Sequence, residues 1–477
     1  MLNWINVRHF YFGGKSPVGV VSNVFGLAPL IPGVMTPSIR VVNSLYPILW
    51  FILYLVCFYY YHITDIDPSA NFPRICSIGL TIRYVLGICL GAVTYVLFIV
   101  KTATFNEFKT RFNNLDAKLY DISGFKTNFV VISNRFQVTL IICGLVLFVT
   151  TSVVDTLITV TLYHGVMIFA AAVVNIFPYL ISGIIQAQFV SWIYLVNLRF
   201  LALNKALNHI ATINESTSKA VKMYKAFDDE IENEDEKSET PLLFIIGDKL
   251  QGEEENALDD YNVKKPSAAW QDNKAKKRTK TPTNTNKVAP SSATAYQGLP
   301  KDMHKNMDSL FALHDSLLDI SEDINDVYAI QIVTFITVSF VTILFGFFFE
   351  TKVIFWLWGK NTQLILIASS YLIWSVMTAL IIYTILTICT KAREAAYESA
   401  LIVHKILQNK PVFMLNDEIY YNKMKSFTLQ ILHRKNTFNF NGLGLFQLDY
   451  TFIFSAVSAA TSYLIVLLQF DLTADLN

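Results

Sequence analysis

Arg83 and Asp155 are ionisable side chains set inside long apolar runs, and Gln469 closes another such run. A charge surrounded by hydrocarbon is costly, so each of these groups requires a partner or a wet cavity. At 1.5 Å per residue, Arg83 lies ~10 Å and Asp155 ~12 Å below the ends of their runs that the charge rule below assigns to the outside. Equal depth fits a structural ion pair. It fits equally a pair of groups in a wet cavity that bind the hydroxyls of a ligand. Hydroxyl, amide and aromatic side chains at nearby depths are Tyr84, Thr151, Thr159, Asn175, Thr342, Ser369, Ser370, Tyr371, Trp374 and Thr378. Sugars have polar edges and apolar faces, so aromatic platforms with a few polar partners suit them. A bitter or otherwise apolar molecule would need fewer ionisable groups. Trp374 serves as a platform in the first case and as ordinary packing in the second.

The last apolar run reads TSYLIVLLQFD, from Thr461 to Asp471. On a helical wheel Ser455, Ser458, Ser462 and Gln469 share one stripe, interrupted by Ile465 and Val466. A helix surrounded by lipid alone has no use for such a stripe. A helix–helix seam would use the small residues for close approach and the amide for a hydrogen bond. A pore face would place Ser462 and Gln469 toward water, with Ile465 and Val466 at a constriction that closes by dewetting. Asp471 and Asp475 would then ring the outer mouth and favour monovalent and divalent cations. One helix cannot enclose a pore, so this reading calls for a symmetric homo-oligomer.

Other chemistries find no support. The five cysteines, Cys57, Cys76, Cys89, Cys143 and Cys389, show neither paired nor CxxC spacing. His209, His314, His404 and His433 show no HExxH pattern, so neither a metal site nor a cofactor is expected. The GGKS segment at Gly13–Ser16 lacks the first glycine of a phosphate loop, since that position is His9. With a net charge of +1 the chain has no general attraction for nucleic acid.

The elements that must position these residues are membrane helices. The chain is 53% hydrophobic and only 16% charged, against about 25% charged in soluble domains, and its mean hydropathy is +0.41. Seven stretches supply the ~20 apolar residues that a 30 Å hydrocarbon core requires. They lie at about 41–62, 76–100, 138–163, 165–200, 327–349, 363–390 and 448–470. None alternates as a barrel strand does. Lys101, Lys109, Arg111, Lys118, Lys126 and Arg135 crowd the second connection, and eight basic residues from Lys391 to Lys435 precede the last span. The loops on the other side are nearly free of Lys and Arg, so the N-terminus is expected in the cytoplasm and the C-terminus outside. That orientation excludes a G-protein-coupled receptor, which also would carry Asp/Glu-Arg-Tyr and NPxxY signatures.

Residues 1–40, broken by four prolines between Ser16 and Arg40, are expected to form a cytoplasmic arm against the membrane or the protein core rather than a signal peptide. Between the fourth and fifth spans, residues 201–326 form cytoplasmic helical extensions around an insert at about 226–306. The insert is acidic from Asp228 to Asp260 and basic from Lys264 to Lys287, a composition that cannot fold alone. Leu310, Leu313, Leu317, Leu318 and Ile324 recur at helical spacing before the fifth span, and KAREAAYESALIVHKIL does so after the sixth. These extensions and residues 391–447 are expected to pack as a cytoplasmic anchor bundle, followed by the pore helix at 448–470 and an outer tail at 471–477. A transporter would show internal repeats and broken helices, and an enzyme a nucleophile or metal constellation; neither is present.

Ser462-Tyr463, five apolar residues, then Gln469-Phe470 resembles the signature that ends the insect gustatory receptors. The usual Thr is Ser462 here, with Thr461 before it. FGLAPL at Phe25–Leu30 is similar to the segment before their first helix, and the long fourth connection resembles the fructose-receptor branch. The resemblance implies a multi-pass plasma-membrane protein acting as a ligand-gated, non-selective cation channel. It implies a homotetramer held by its cytoplasmic bundle, with the last helix lining the pore. It also implies a tastant pocket in the outer half of each subunit, for a sugar such as fructose or, alternatively, a bitter or other small molecule.

Overall fold

The computed structural model describes residues 16–28, 37–63, 74–123, 129–162, 166–233, 301–352, 362–408, 418–434 and 438–474, all but a few of them helical. The helices are α1 (Pro17–Val24), α2 (Pro37–Ile63), α3 (Arg74–Ser123), α4 (Phe129–Leu162), α5 (Val166–Asn233), α6 (Lys301–Lys352), α7 (Thr362–Gln408), α8 (Glu418–Arg434) and α9 (Thr451–Ala474). Among the described residues there is no strand, only one isolated antiparallel bridge between Asn441 and Gln447. The chain divides into two units, residues 1–214 with 299–477, and residues 215–298. Everything below concerns the first. Most of the insert lies outside the described residues; α5 runs as helix to Asn233 and α6 starts at Lys301, so helix reaches into both ends of the stretch assigned to it.

Among the described residues, six helices are long and apolar enough to cross a membrane: Val41–Tyr60, Phe129–Leu157, Val173–Thr212, Asn306–Lys352, Ala368–Gln408 and Thr451–Phe470. The expected second span is the first half of α3, with a shorter apolar stretch at Val85–Val100. Several boundaries differ from expectation, two of them at the start of a helix that carries a candidate residue. The third span begins at Phe129 instead of 138, and the last helix begins at Thr451 because residues 448–450 belong to the preceding turn. The connection after the second span, expected as a basic loop, is helical as far as Ser123. Phe108, Phe112, Leu115 and Leu119 explain it: their spacing makes one helical stripe, and all four are buried.

Outward-facing residues of α2 and α4 are large and apolar, among them Leu45, Leu49, Leu53, Val56, Ile142, Leu145, Val149 and Leu157. A patch of that extent is untenable in water and ordinary against lipid. The charged half of the bundle packs differently. Leu310, Leu313, Leu317, Leu318 and Ile324 of α6 are buried beside Ala392, Ala396 and Val403 of α7. Arg199 of α5 is 1% exposed and grips Asp116 of α3 through two hydrogen bonds of 2.8 Å. Its guanidinium lies 4.3 Å from the ring centre of Phe112. A bidentate pair of this kind fixes direction as well as distance. The amphipathic extensions therefore do form a bundle.

The arm before α2 lies against the protein core. Ser16 caps α1, accepting from Gly19 N at 3.1 Å. Gln188 of α5 donates to Ser22 Oγ at 2.7 Å and to the Leu27 carbonyl at 2.8 Å, while Tyr328 of α6 donates to the Gln188 Oε1 at 3.2 Å. Gly26 has φ +72°, and a Cβ there would sit 3.0 Å from Pro47 Cα, so the turn tolerates only glycine. Residues 1–15 lie outside the described residues.

Candidate functional site

Asp155 sits on α4 facing α7, and two donors on consecutive turns of α7 reach it. Ser370 donates its hydroxyl to Oδ1, and Trp374 donates Nε1–H to Oδ2 at 2.6 Å. The i, i+4 spacing puts both donors on one face of the helix. Aromatic rings close around them. Tyr179 of α5 lies 4.7 Å from the Trp374 ring centre, and Phe148 of α4 meets it edge-on at 6.4 Å. The Tyr179 hydroxyl is 3.4 Å from Thr342 Oγ1 of α6. Tyr371 packs on Phe349 with ring centres 4.8 Å apart. Where α6 meets α7, Gly346 lies against the Ser375 hydroxyl, so close that an added Cβ would collide with it.

Among the residues expected to meet a ligand, the structure thus brings Asp155, Ser370 and Trp374 into direct contact and places Thr342 on the rim. Tyr371 is buried one residue beyond Ser370 in a neighbouring aromatic group. Asn175 is half-buried one turn before Tyr179. Thr378 is buried but bonds its own helix, donating to the carbonyls of Trp374 and Ser375 at 3.0 and 3.1 Å. The side chains of Arg83, Tyr84 and Thr159 lie outside the described residues, and so does the expected pairing of Arg83 with Asp155.

The second candidate region is α9. Leu464, Leu467 and Leu468 pack against a cluster of Phe345, Phe348, Phe349, Ala368 and Tyr371. Ser462, Ile465, Val466, Gln469 and Phe470 point away from it and are exposed, Phe470 by 66%. None of the most apolar stretch of this span is buried. The side chain of Asp471 lies outside the described residues. At its base α9 faces α6 across a groove of about 560 Å³, lined by Ile336, Phe340, Phe446, Phe452, Ser455 and Ala459 among others.

A turn at Phe438–Tyr450 leads into α9 and is held from two helices. Asn325 of α6 accepts from Asn441 N at 3.1 Å. Tyr397 of α7 donates to the Phe438 carbonyl at 2.8 Å. Arg393 of α7 donates to Asn439 Oδ1 at 3.1 Å and to Asp449 Oδ2 at 3.2 Å. Asp449 Oδ1 accepts from Thr451 N at 2.9 Å, at the start of α9. Burial raises the Asp449 pKa, but hydrogen bonds from Thr451 and Arg393 and the guanidinium charge outweigh it, holding the carboxyl below the usual carboxylate range.

The sequence model of the 7tm Chemosensory receptor family matches residues 16–224 and 278–474. The gustatory and pheromone receptor 33a of Drosophila melanogaster is 33% identical over 435 residues, covering 84% of this chain and 90% of that protein. The chain belongs to the 7tm chemosensory receptor family. The receptor also shares the fold of the insect olfactory receptor OR5 from Machilis hrabei, with TM-score 0.52 at 13% identity over 95% of this chain and 96% of that one. The same olfactory receptor in complex with eugenol gives TM-score 0.53 at 12% identity, with the same coverage. It is a multi-pass membrane protein with the seven-helix fold of that family. The unmatched stretch of the family model, 225–277, falls inside the acidic-to-basic insert.

Three features around the candidate regions escape a reading of the sequence. Tyr179 and Phe148 wall the Trp374 cluster; Tyr179 stands one turn from Asn175 on the same face, which is the signal that could have found it. Asp449 and Thr451 form a helix-start signature two residues apart, hidden because the apolar run was taken to begin at 448. Arg393 looked like one basic residue among many.

Proposed function

We propose that the receptor is a ligand-gated cation channel in which four copies place α9 around a common axis. The observation that carries this reading is the division of α9 into two faces. Its leucines dock on α6 and α7, and its serine, glutamine and remaining apolar side chains face outward. Hydroxyls and an amide on an exposed face are better accommodated by water and symmetry mates than by lipid. The Lys/Arg asymmetry supports a cytoplasmic N-terminus and charged half, with Gln469, Phe470 and Asp471 toward the outer mouth.

The ligand we propose is a small molecule with an aromatic or apolar body, received around Trp374. Asp155 already accepts from Ser370 and Trp374, and the rings of Phe148 and Tyr179 supply mostly apolar surface. Kinship with a relative named for taste and pheromone reception supports a small-molecule ligand. A sugar such as fructose is the second reading, favoured by the carboxylate and hydroxyls beside an aromatic platform. Whole-cell current recorded in a heterologous cell under a panel of sugars and a panel of apolar tastants separates the two. Current evoked by neither panel in cells with surface receptor would overturn both.

A further inference from the structure

We propose that Arg393 and Asp449 form the coupling clamp through which the ligand site moves the pore helix. The inference rests on the channel reading above. One unbroken helix, α7, carries Ser370 and Trp374 at one end and Arg393 and Tyr397 further along, ~28 Å apart from Trp374 to Arg393 at 1.5 Å per residue. A helix without a proline or break transmits a shift at one end to the other. Between those ends, Thr387 accepts from the Tyr450 hydroxyl at 3.3 Å, and Tyr383 faces the Tyr450 ring at 6.3 Å. Four side chains of α7 therefore grip the segment that immediately precedes α9.

The base of α9 has room to respond. The groove of about 560 Å³ between α6 and α9 leaves the first turns of the pore helix without tight support on that side. What fixes their direction is Asp449, which ties the α9 N-terminus to Arg393 with one oxygen and to Thr451 with the other. Arg393 is 24% and Asp449 10% exposed, so the pair is shielded enough to be strong yet is not sealed in the core. Both are positioning residues: neither touches the ligand nor lines the pore. A displacement of α7 by ligand at Trp374 pulls the turn, and the turn tilts α9 into the groove, widening the ring at Val466 and Phe470.

Concentration–response curves for Asp449→Asn and Arg393→Gln, each corrected for surface level, test the clamp. Asn keeps an acceptor for the Thr451 N–H while removing the charge that Arg393 holds. Each single variant is expected to shift the half-maximal ligand concentration about tenfold upward, equivalent to ~1.4 kcal/mol. The double variant is expected to shift it no further than the larger single effect. Lys423→Gln, which breaks an exposed pair with Asp308, serves as control and leaves the curve in place. Wild-type curves for both single variants, or shifts that add in the double, overturn the proposal. Hydrogen exchange on the purified full chain gives an independent readout. Arg393→Gln is expected to speed exchange at 438–453 at least threefold, and unchanged exchange there overturns the clamp even where no ligand evokes current. Silence of the wild type under all ligands overturns the channel reading instead.

Discussion

Two membrane helices of this receptor carry polar residues through apolar surroundings, and they treat them in opposite ways. On α7, Ser370, Trp374, Ser375 and Thr378 turn inward and bond within the subunit, to Asp155 or to carbonyls one turn back. On α9, Ser458, Thr461, Ser462 and Gln469 turn outward. Thr461 and Ser462 return hydrogen bonds only to their own helix, at 2.9 and 3.0 Å. The first arrangement is complete in one subunit. The second sets hydroxyls and an amide on an exposed face, which water or other copies of the chain suit better than lipid. Under the channel reading proposed above, inward polarity belongs to the sensing site and outward polarity to the surface that assembles and conducts.

The sharpest way to break this contrast is at Asp155. Asp155→Ala removes the acceptor of two buried donors, a loss of roughly 3–5 kcal/mol where a buried charged contact is broken. The expected outcome is loss of ligand response with lowered surface level. Combining it with Arg83→Ala is expected to restore surface level alone, so restored response would show the cluster to be purely structural.

On the opposite helix, Val466→Ala and Phe470→Ala are expected to raise current without ligand several-fold, because a wider, less apolar ring rewets. Gln469→Glu is expected to increase divalent permeation, measured as a shift in reversal potential. Normal basal current and selectivity in all three, at normal surface level, would turn this face into a lipid or helix seam.

A smaller effect is expected from Gly442→Ala in the turn between the two helices. A Cβ there would lie 2.6 Å from Phe446 Cζ and 2.8 Å from Val333 Cγ2. Phe446 can shift, but Val333 belongs to α6, so the turn should move by tenths of an ångström. A cost of about 1–3 kcal/mol and a correspondingly lower melting temperature of the purified receptor are expected. Removing residues 234–298 should have the least consequence: tetramers on native gels and ligand responses within about twofold of wild type, since the segment's composition offers no core. Loss of tetramers would assign the insert to assembly.

Much of the contrast was legible in the sequence. Seven apolar runs, the side of the membrane that gathers basic residues and the stripe through Ser455, Ser462 and Gln469 follow from length, charge and the 3.6-residue period alone. Asp155 was conspicuous because charge in an apolar run is rare. Its partners were only part of a longer set, since periodicity gives the face of a helix but not which helix lies opposite. Thr378 illustrates the limit: its type and depth suit a ligand site, yet its hydroxyl bonds its own backbone. The helical second half of α3 was missed because its lysines and arginines drew the reading toward a loop, although Phe108, Phe112, Leu115 and Leu119 repeat at helical spacing. Coupling through Arg393 could not be read at all, because an ion pair across α7 and the turn before α9 depends on how far α7 extends as one helix.

The seating of α1 has a consequence for the order in which the receptor is made. Val18 N donates to Gln137, 119 residues later in the chain, and Ser22 receives Gln188, 166 residues later. At ~5–20 residues per second of synthesis, Ser22 leaves the ribosome roughly 8–33 s before its partner exists. α1 is therefore made well before the partners that hold it. Tyr46, Trp50 and Tyr95 of α2 and α3 can engage Val24 and Phe25 early, but the contacts of Val18 and Ser22 wait for α4 and α5. The seat is complete only when Tyr328 of α6 has joined Gln188, so this short segment depends on helices spread over about 300 residues of chain.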